Sequence, residues 1–203
     1  MAKVHPHLLS SPSSSRSSGE TTEKFTVWMK SLVLNGNGCT IYDSTGNIVY
    51  RIDNYDTKCS SQVLLMDLKG KVLSTLIRKK LRVKEHWNGY KNDRVLKNER
   101  PWFKVNKISK VFNKKGKGFS CQVTIEGDES RALSCFTIQG CAQKSEFEII
   151  RGDGLVVAQV KRKKSTSGIM LGNDVLSLEM EPKMEQSFII SLVVVHGLIS
   201  HKL

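Results

Sequence analysis

Two basic runs are the residues of this sequence whose types and spacing best suit binding chemistry. The first run reads Arg78-Lys79-Lys80-Leu81-Arg82-Val83-Lys84, with cations and apolar residues alternating in its second half. On an extended strand, this alternation predicts one face that carries Lys80, Arg82 and Lys84. Such a face would dock on phosphate groups or anionic lipid, at about 1 kcal/mol for each cation near an anionic membrane.

The second run, Lys161-Arg162-Lys163-Lys164, predicts a second patch of the same kind. The sequence Ser165-Thr166-Ser167 follows it, and phosphorylation there would weaken anion binding through like-charge repulsion. The same cations also suit a solvated exterior that keeps the protein soluble, and the sequence does not separate the two interpretations. The candidate anion-binding residues are Arg78, Lys79, Lys80, Arg82, Lys84, Lys161, Arg162, Lys163 and Lys164.

Positive charge is concentrated in one part of the chain. The 203 residues include 32 Lys and Arg against 19 Asp and Glu, a net charge of +13. Residues 69–117 alone hold seventeen cations and three acids. Nucleic acid is a second polyanion to consider, because aromatic residues that could stack on bases lie among these cations. No helix-turn-helix, zinc-finger, RRM or KH signature accompanies them, so nucleic acid is the weaker alternative. The aromatic residues are Trp87, Tyr90, Trp102 and Phe103.

Signatures of catalysis and metal binding are absent from the sequence. It contains no GxSxG, HExxH, Walker or kinase motif. The five Cys are scattered and odd in number, which favours neither a disulfide framework nor a zinc site. His196 lies in an apolar stretch and is predicted to be a core histidine. We therefore predict a protein that is not an enzyme and that uses no cofactor or metal.

The elements that must position the basic runs are predicted to be short antiparallel strands. From Phe25 onward the apolar residues recur with a period of two, and Gly-containing turns follow about every dozen residues. Residues 1–23 are rich in Ser and are predicted to form a disordered tail. Residues 24–203 are predicted to form one domain. The start of the chain lacks an apolar signal segment, which favours a reducing, cytoplasmic location.

Three segments of the chain resemble one another. CTIYDSTGNIVYRID (39–53) is repeated 24 residues later as VLLMDLKGKVLSTLI (63–77), and 84 residues after that within FEIIRGDGLVVAQVKRKK (147–164). Gly46, Gly70 and Gly154 then coincide, and the first basic run coincides with the second. Repeated hairpins predict a sheet built from equivalent units, and closure into a barrel would remove its exposed edges.

An apolar stretch near the end of the sequence is predicted to fill this barrel. Phe188–Ser200 is apolar on nearly every face, and a helix over about 184–199 would be too short to span a bilayer. Its many β-branched residues leave a central strand as the competing interpretation. A barrel of about twelve strands is wider than its own side chains can fill. We therefore predict a mainly β protein, a closed antiparallel barrel of about twelve strands around a buried hydrophobic C-terminal helix.

The sequence also resembles a known family. TVWMKSLVLNGNGCTIYDSTGNIVYRIDNY, VLLMDLKGKVLSTLIRKKL and the apolar stretch after MEPKMEQSFII closely resemble the plant LURP-one-related proteins. These belong to the tubby C-terminal-like group, with the phospholipid scramblases. The resemblance covers about residues 24–199. It implies a tubby-like barrel around a central helix, a plant source and a link to plant defence.

Charge and resemblance together suggest a function. Tubby proteins bind phosphoinositides at the membrane, so the resemblance implies a peripheral module that binds anionic lipid, without a transmembrane span. The alternatives are a protein-interaction adaptor with an unknown protein partner and a membrane-tethered transcriptional regulator that binds nucleic acid. The predicted location is the cytoplasm, with the plasma membrane surface and the nucleus as further sites.

Overall fold

A computed structural model describes residues 21–29, 37–57, 60–81, 84–92, 100–108, 112–113, 116–126, 134–141 and 146–200. Nearly all of the predicted Ser-rich tail lies outside these residues. The described residues form thirteen strands followed by one helix. They are β1 Glu23–Trp28, β2 Asn37–Tyr42, β3 Ile48–Thr57, β4 Ser60–Asp67, β5 Val72–Leu81, β6 Lys84–Lys91, β7 Phe103–Ile108, β8 Phe112–Asn113, β9 Gly116–Ile125, β10 Cys135–Cys141, β11 Glu146–Arg151, β12 Val156–Arg162, β13 Val175–Met180 and α1 Gln186–Ile199.

Twelve of the strands form a closed antiparallel barrel. Strands β1 to β7 pair with their neighbours in chain order, β7 pairs with β9, and β9 to β13 continue the ring. Pairing of β13 with β1 closes it. The two-residue strand β8 pairs with β9 only, outside the ring. The predicted mainly β fold with a twelve-stranded barrel and a C-terminal helix is confirmed.

Alternate residues of the strands point into the barrel. In β1, Phe25 and Val27 are buried while Lys24 is exposed and Thr26 is half-buried. The same alternation runs along β11 and β13. Because successive side chains of a strand point to opposite faces, the period-two pattern of the sequence marks the wall of the barrel.

Helix α1 occupies the lumen and forms the centre of the core. Every residue from Phe188 to Gly197 is buried. The competing interpretation, a central strand, is wrong, because a segment that passes through the lumen has no free strand edge to pair with. A helix satisfies its backbone hydrogen-bonding groups internally, and this gain outweighs the strand preference of the β-branched side chains.

The first turn of α1 is fixed by aromatic packing and by hydrogen bonds. The Phe188 ring lies 5.3 Å from Trp102 and Phe103 and 5.2 Å from Phe136, measured between centroids. The Tyr50 hydroxyl donates to Oε1 of Gln186. These contacts set the axial position of the helix within the ring. Within the described part of the chain, no helix has both the length and the apolar character needed to cross a membrane.

One five-residue turn recurs in four hairpins. In each copy the first residue's N–H donates to the fifth residue's carbonyl, and the fourth residue is a glycine with a positive φ of 77° to 90°. Glycine adopts that conformation without the steric cost that a side chain would impose. The predicted equivalence of the first three copies is confirmed, and the fourth was not predicted. The copies are Asp43–Asn47, Asp67–Lys71, Arg151–Leu155 and Ser165–Ile169.

Substitutions at two neighbouring residues of α1 should change the stability of the protein in opposite directions. Ile190→Ala removes a fully buried side chain and should lower the free energy of unfolding by about 2–5 kcal/mol. Ser191→Ala removes a buried hydroxyl that has no hydrogen-bond partner among the described residues. This substitution should raise the free energy of unfolding by about 1 kcal/mol. Urea unfolding followed by circular dichroism measures both. Equal, small effects would contradict a tightly packed helix.

Candidate functional site

The two basic runs lie at the same end of the barrel. Neighbouring strands of the ring are antiparallel, so β1, β5 and β12 all run in one direction. Helix α1 runs the same way, since Gln186 donates a hydrogen bond to Glu23 at the start of β1 and His196 stacks on Phe147 near the start of β11. We call the end at which β5, β12 and α1 finish the basic end.

Lys107, near the end of β7, belongs to the same end. Residues 107–117, which lead from the end of β7 into β9, contain five lysines and no acidic residue, and the described Lys107 is exposed. The opposite end carries charges of both signs. Its turns include Asp43, Asp67 with Lys69, and Asp153, which pairs with an arginine at 2.7 Å. Among the described residues, the exposed Lys79, Lys107, Lys161 and Lys164 lie at the basic end, together with the half-buried acids Glu146 and Asp174.

The first basic run forms a hairpin instead of one strand. Strand β5 ends at Leu81 and β6 begins at Lys84, with Lys80 opposite Glu85 and Leu81 opposite Lys84. The predicted single face with Lys80, Arg82 and Lys84 is therefore wrong. Arg82 itself lies outside the described residues. The alternation of cations and apolar residues continues across a two-residue connection that contains no Gly, Pro, Asn or Asp, so the sequence carried no signal for the turn.

The described cations of the first run divide between the two surfaces of the wall. Arg78 is half-buried and lies opposite Trp87, which belongs to the core. Lys79 is exposed and lies opposite His86 on the outer surface. Only the lysine of this pair presents its charge to the outer surface.

The second basic run is better placed for contact with a partner. Lys161 and Lys164 are exposed, and the Nζ of Lys161 donates to Gln159 at 3.0 Å. Arg162 and Lys163 are half-buried: Arg162 donates to Oδ1 of Asn173 at 3.1 Å, and Lys163 donates to Oγ1 of Thr26. Two lysines thus face solvent, while the two residues between them fasten the strand to its surroundings.

A cleft of about 410 Å³ adjoins Lys163 on the outer wall. Strands β1 and β13 form its floor, and the turn from Asp43 to Gly46 forms one side. Lys24 in this cleft pairs with Glu179 at 3.3 Å. Since both lysines of the cleft already have partners, one of them the Thr26 hydroxyl, the cleft offers little free charge.

The turn that follows the second run holds a serine where two related turns hold an aspartate. The Ser165 hydroxyl accepts a hydrogen bond from the N–H of Ile169 at 3.1 Å. Asp43 and Asp67 accept the equivalent bond at 2.9 Å through a carboxylate oxygen. Hydrogen bonding with Thr45 and Asn47 lowers the pKa of Asp43, so its carboxylate is held in the charged form. The turn geometry therefore accommodates an anion at its first position.

The aromatic residues near the basic runs do not form a stacking platform. Trp87, Tyr90 and Phe103 are buried in the wall, and Trp102 packs on Phe188 with the Nζ of Lys91 4.4 Å from its ring centroid. The interpretation that these residues could stack on nucleic-acid bases is wrong. Their stacking on bases was predicted from composition alone, and composition does not show which face of a strand a side chain occupies.

Two of the described free cysteines, Cys39 and Cys121, are buried, and Cys135 is half-buried. Burial raises the pKa of Cys121 to about 11 and raises the pKa of Cys39 strongly, so both remain protonated thiols at neutral pH. His196 is buried and stacks on Phe147 with 3.8 Å between ring centroids, as expected for a core histidine. No group of three or more His, Cys, Asp or Glu within the described ranges is arranged to hold a metal ion.

Comparison with known proteins agrees with this architecture. The sequence model described as LURP-one-related matches residues 23–197, nearly the whole barrel and helix. The chain belongs to the LURP-one-related family. It is 39% identical to Arabidopsis thaliana protein LURP-one-related 11, over 98% of this chain and 89% of that protein. It is 40% identical to LURP-one-related 4 of the same plant, over 98% and 87% of the two chains.

A solved structure shows the same fold as this LURP-one-related protein. The X-ray structure of a protein from Arabidopsis thaliana superposes with a TM-score of 0.61, covering 88% of this chain and 91% of that chain at 17% identity. At that identity the likeness concerns the fold alone. The sequence match thus shows the family, and the superposition shows the fold.

The turn comparison predicts that Ser165→Asp leaves the fold intact. Because Asp43 and Asp67 occupy the same position in their turns, the free energy of unfolding should change by less than about 1 kcal/mol. Gly168→Ala is the matched contrast: its φ of +81° should make alanine cost about 1–2 kcal/mol. Thermal unfolding measures both, and a larger loss for Ser165→Asp than for Gly168→Ala would contradict the equivalence of the turns.

Proposed function

We propose that this LURP-one-related protein is a non-catalytic module that docks its basic end on anionic membrane surfaces. The observation that carries the proposal is that the described cations of both basic runs lie at one end of the barrel, together with Lys107 near the end of β7. A protein whose only need was solubility could carry the same charge on any part of its surface. Concentration at one end gives the molecule a direction of approach to a polyanion.

The electrostatic contribution is large enough to matter. Each Lys or Arg near an anionic leaflet contributes about 1 kcal/mol, and the contribution decreases over a Debye length of about 8 Å at physiological salt. Lys79, Lys161 and Lys164 are exposed at the basic end. We take phosphoinositide as the preferred lipid, because several phosphates on one head group match several lysines at short spacing. This preference rests on charge and on the analogy with tubby proteins.

Charge reversal at the two ends of the barrel tests the proposal. Lys161→Glu with Lys164→Glu should weaken binding to phosphatidylcholine vesicles that contain phosphoinositide by at least about tenfold, since two attractive charges become repulsive. The matched control is Lys69→Glu with Lys71→Glu, two exposed lysines in the turn at the opposite end. This control makes the same change in net charge. Vesicle flotation measures both.

The possible results separate the proposal from its alternatives. An equal loss in both double variants would show that net charge matters and that the basic end does not. Binding of the unsubstituted protein to neutral and phosphoinositide vesicles alike would reject lipid docking altogether. A protein partner that stays bound at high salt would favour the adaptor, because salt screens exposed charges.

Ser165→Asp adds a finer test at the second basic run. The substitution places one negative charge beside Lys164 in a turn whose geometry accommodates an anion. Vesicle affinity should decrease about fivefold, by analogy with the contribution of one charge near the membrane. Ser165→Ala, which adds no charge, serves as the control for loss of the hydroxyl. Equal affinities for the two variants would contradict an electrostatic role for this hairpin.

A further inference from the structure

Three consecutive apolar residues are exposed in the hairpin that joins β12 to β13, where the Ser165–Ile169 turn leads into the returning arm, and we call this segment the tip. The exposed fractions are 67% for Ile169, 38% for Met170 and 49% for Leu171. A single exposed aliphatic side chain is common on protein surfaces, whereas three consecutive ones concentrate exposed apolar surface in one segment, which is typical of an interaction site. From sequence alone this triplet cannot be told from core residues, because apolar residues beside a strand are common in both settings.

The hairpin extends beyond the barrel wall and satisfies much of its own backbone. Lys163 N–H donates to Val175 O at 2.9 Å, and Leu171 N–H donates to Lys163 O at 3.0 Å. Ser165 N–H donates to Ile169 O at 2.7 Å, and the Ile169 N–H donates to the Ser165 hydroxyl. Because these peptide groups are already hydrogen-bonded, moving the tip out of water exposes few unpaired polar groups.

Charge and apolar surface meet in this hairpin. Lys164 forms a β-bridge with Met170, and the exposed Lys161 lies on the strand below. Ile108, 41% exposed, is a further apolar side chain at the basic end. The two exposed leucines at the opposite end, Leu68 and Leu155, belong to separate turns. Among the described residues, only the basic end thus combines exposed lysines with a contiguous apolar stretch.

We infer that the tip Ile169–Leu171 inserts into the head-group layer of an anionic bilayer while Lys161 and Lys164 contact the phosphates above it. This inference rests on the proposed docking of the basic end and adds the element that enters the membrane. Apolar insertion and electrostatic attraction combine in interfacial binding, and lysine stems reach back to the interface while their carbon atoms remain in apolar surroundings.

The arrangement of the triplet favours a lipid surface over an apolar groove on a protein. In an extended segment, Ile169 and Leu171 point to one face and Met170 to the other, and all three are exposed. A groove on a partner protein covers one face of a hairpin, whereas a bilayer surrounds both. The neighbouring lysines also match the negative charge of lipid phosphates.

The first test removes the apolar side chains and keeps every charge. Ile169→Ser, Met170→Ser and Leu171→Ser together should weaken binding to phosphatidylcholine vesicles containing phosphatidylserine by about tenfold or more, and the residual binding should depend more steeply on salt. The matched control is Leu68→Ser with Leu155→Ser, exposed by 67% and 46% at the opposite end. Retained affinity in the triple variant would overturn the insertion of the tip.

The second test reports the surroundings of the tip directly. An environment-sensitive fluorophore is attached to the cysteine introduced by Met170→Cys. Leu68→Cys, labelled in the same way, is the control at the opposite end. The unsubstituted protein, labelled in parallel, gives the background from the native cysteines. A blue shift at position 170 but not at 68 on adding anionic vesicles supports insertion. Vesicle binding without a shift at 170 overturns insertion and leaves docking intact, whereas no vesicle binding rejects both. A shift at 170 without vesicles, as protein concentration rises, would assign the tip to self-association and overturn the inference.

Discussion

The packing of α1 inside the barrel is the interaction on which the rest of the structure depends. Twelve strands enclose more space than their inward side chains fill, and a helix with ten consecutive buried residues occupies it. Removing that helix would expose the inner faces of all twelve strands. The residues that face outward therefore contribute little to the core. Exposed residues of the wall and of its connections can carry charge or apolar groups without loss of the core.

Much of the architecture could be predicted from the sequence because it depends on periodicity and on glycine. The alternation along β1 and β13 and the fourth-position glycines of the repeated turns are local signals that tertiary structure did not override. The turn at Ser165–Ile169 was missed because it lies outside the three segments that resemble one another, although the Ser165 hydroxyl makes the equivalent hydrogen bond. The helix was predicted together with a competing strand, since β-branched residues favour the strand locally and only the closed ring decides for the helix.

The candidate site could be predicted less well, for a physical reason. The sequence identified the cations but not their orientation. Arg78 and Lys79 are adjacent, yet one lies against the core and the other on the outer surface, because a strand changes face at every residue. The turn between Leu81 and Lys84 could not be predicted from the sequence, since the residues that connect the two strands have the composition of a strand. The convergence of both runs at one end follows only from the direction of each strand, which the order of pairing determines.

The position of α1 in the chain has a consequence for biosynthesis. The helix follows all twelve strands of the ring, so the ribosome completes the wall before the residues that fill it have been made. Until then the growing chain carries inward faces of Val, Ile and Phe with nothing to cover them. We therefore expect chaperones to bind the chain during translation. We also expect chains that stop before Gln186 to be degraded rapidly.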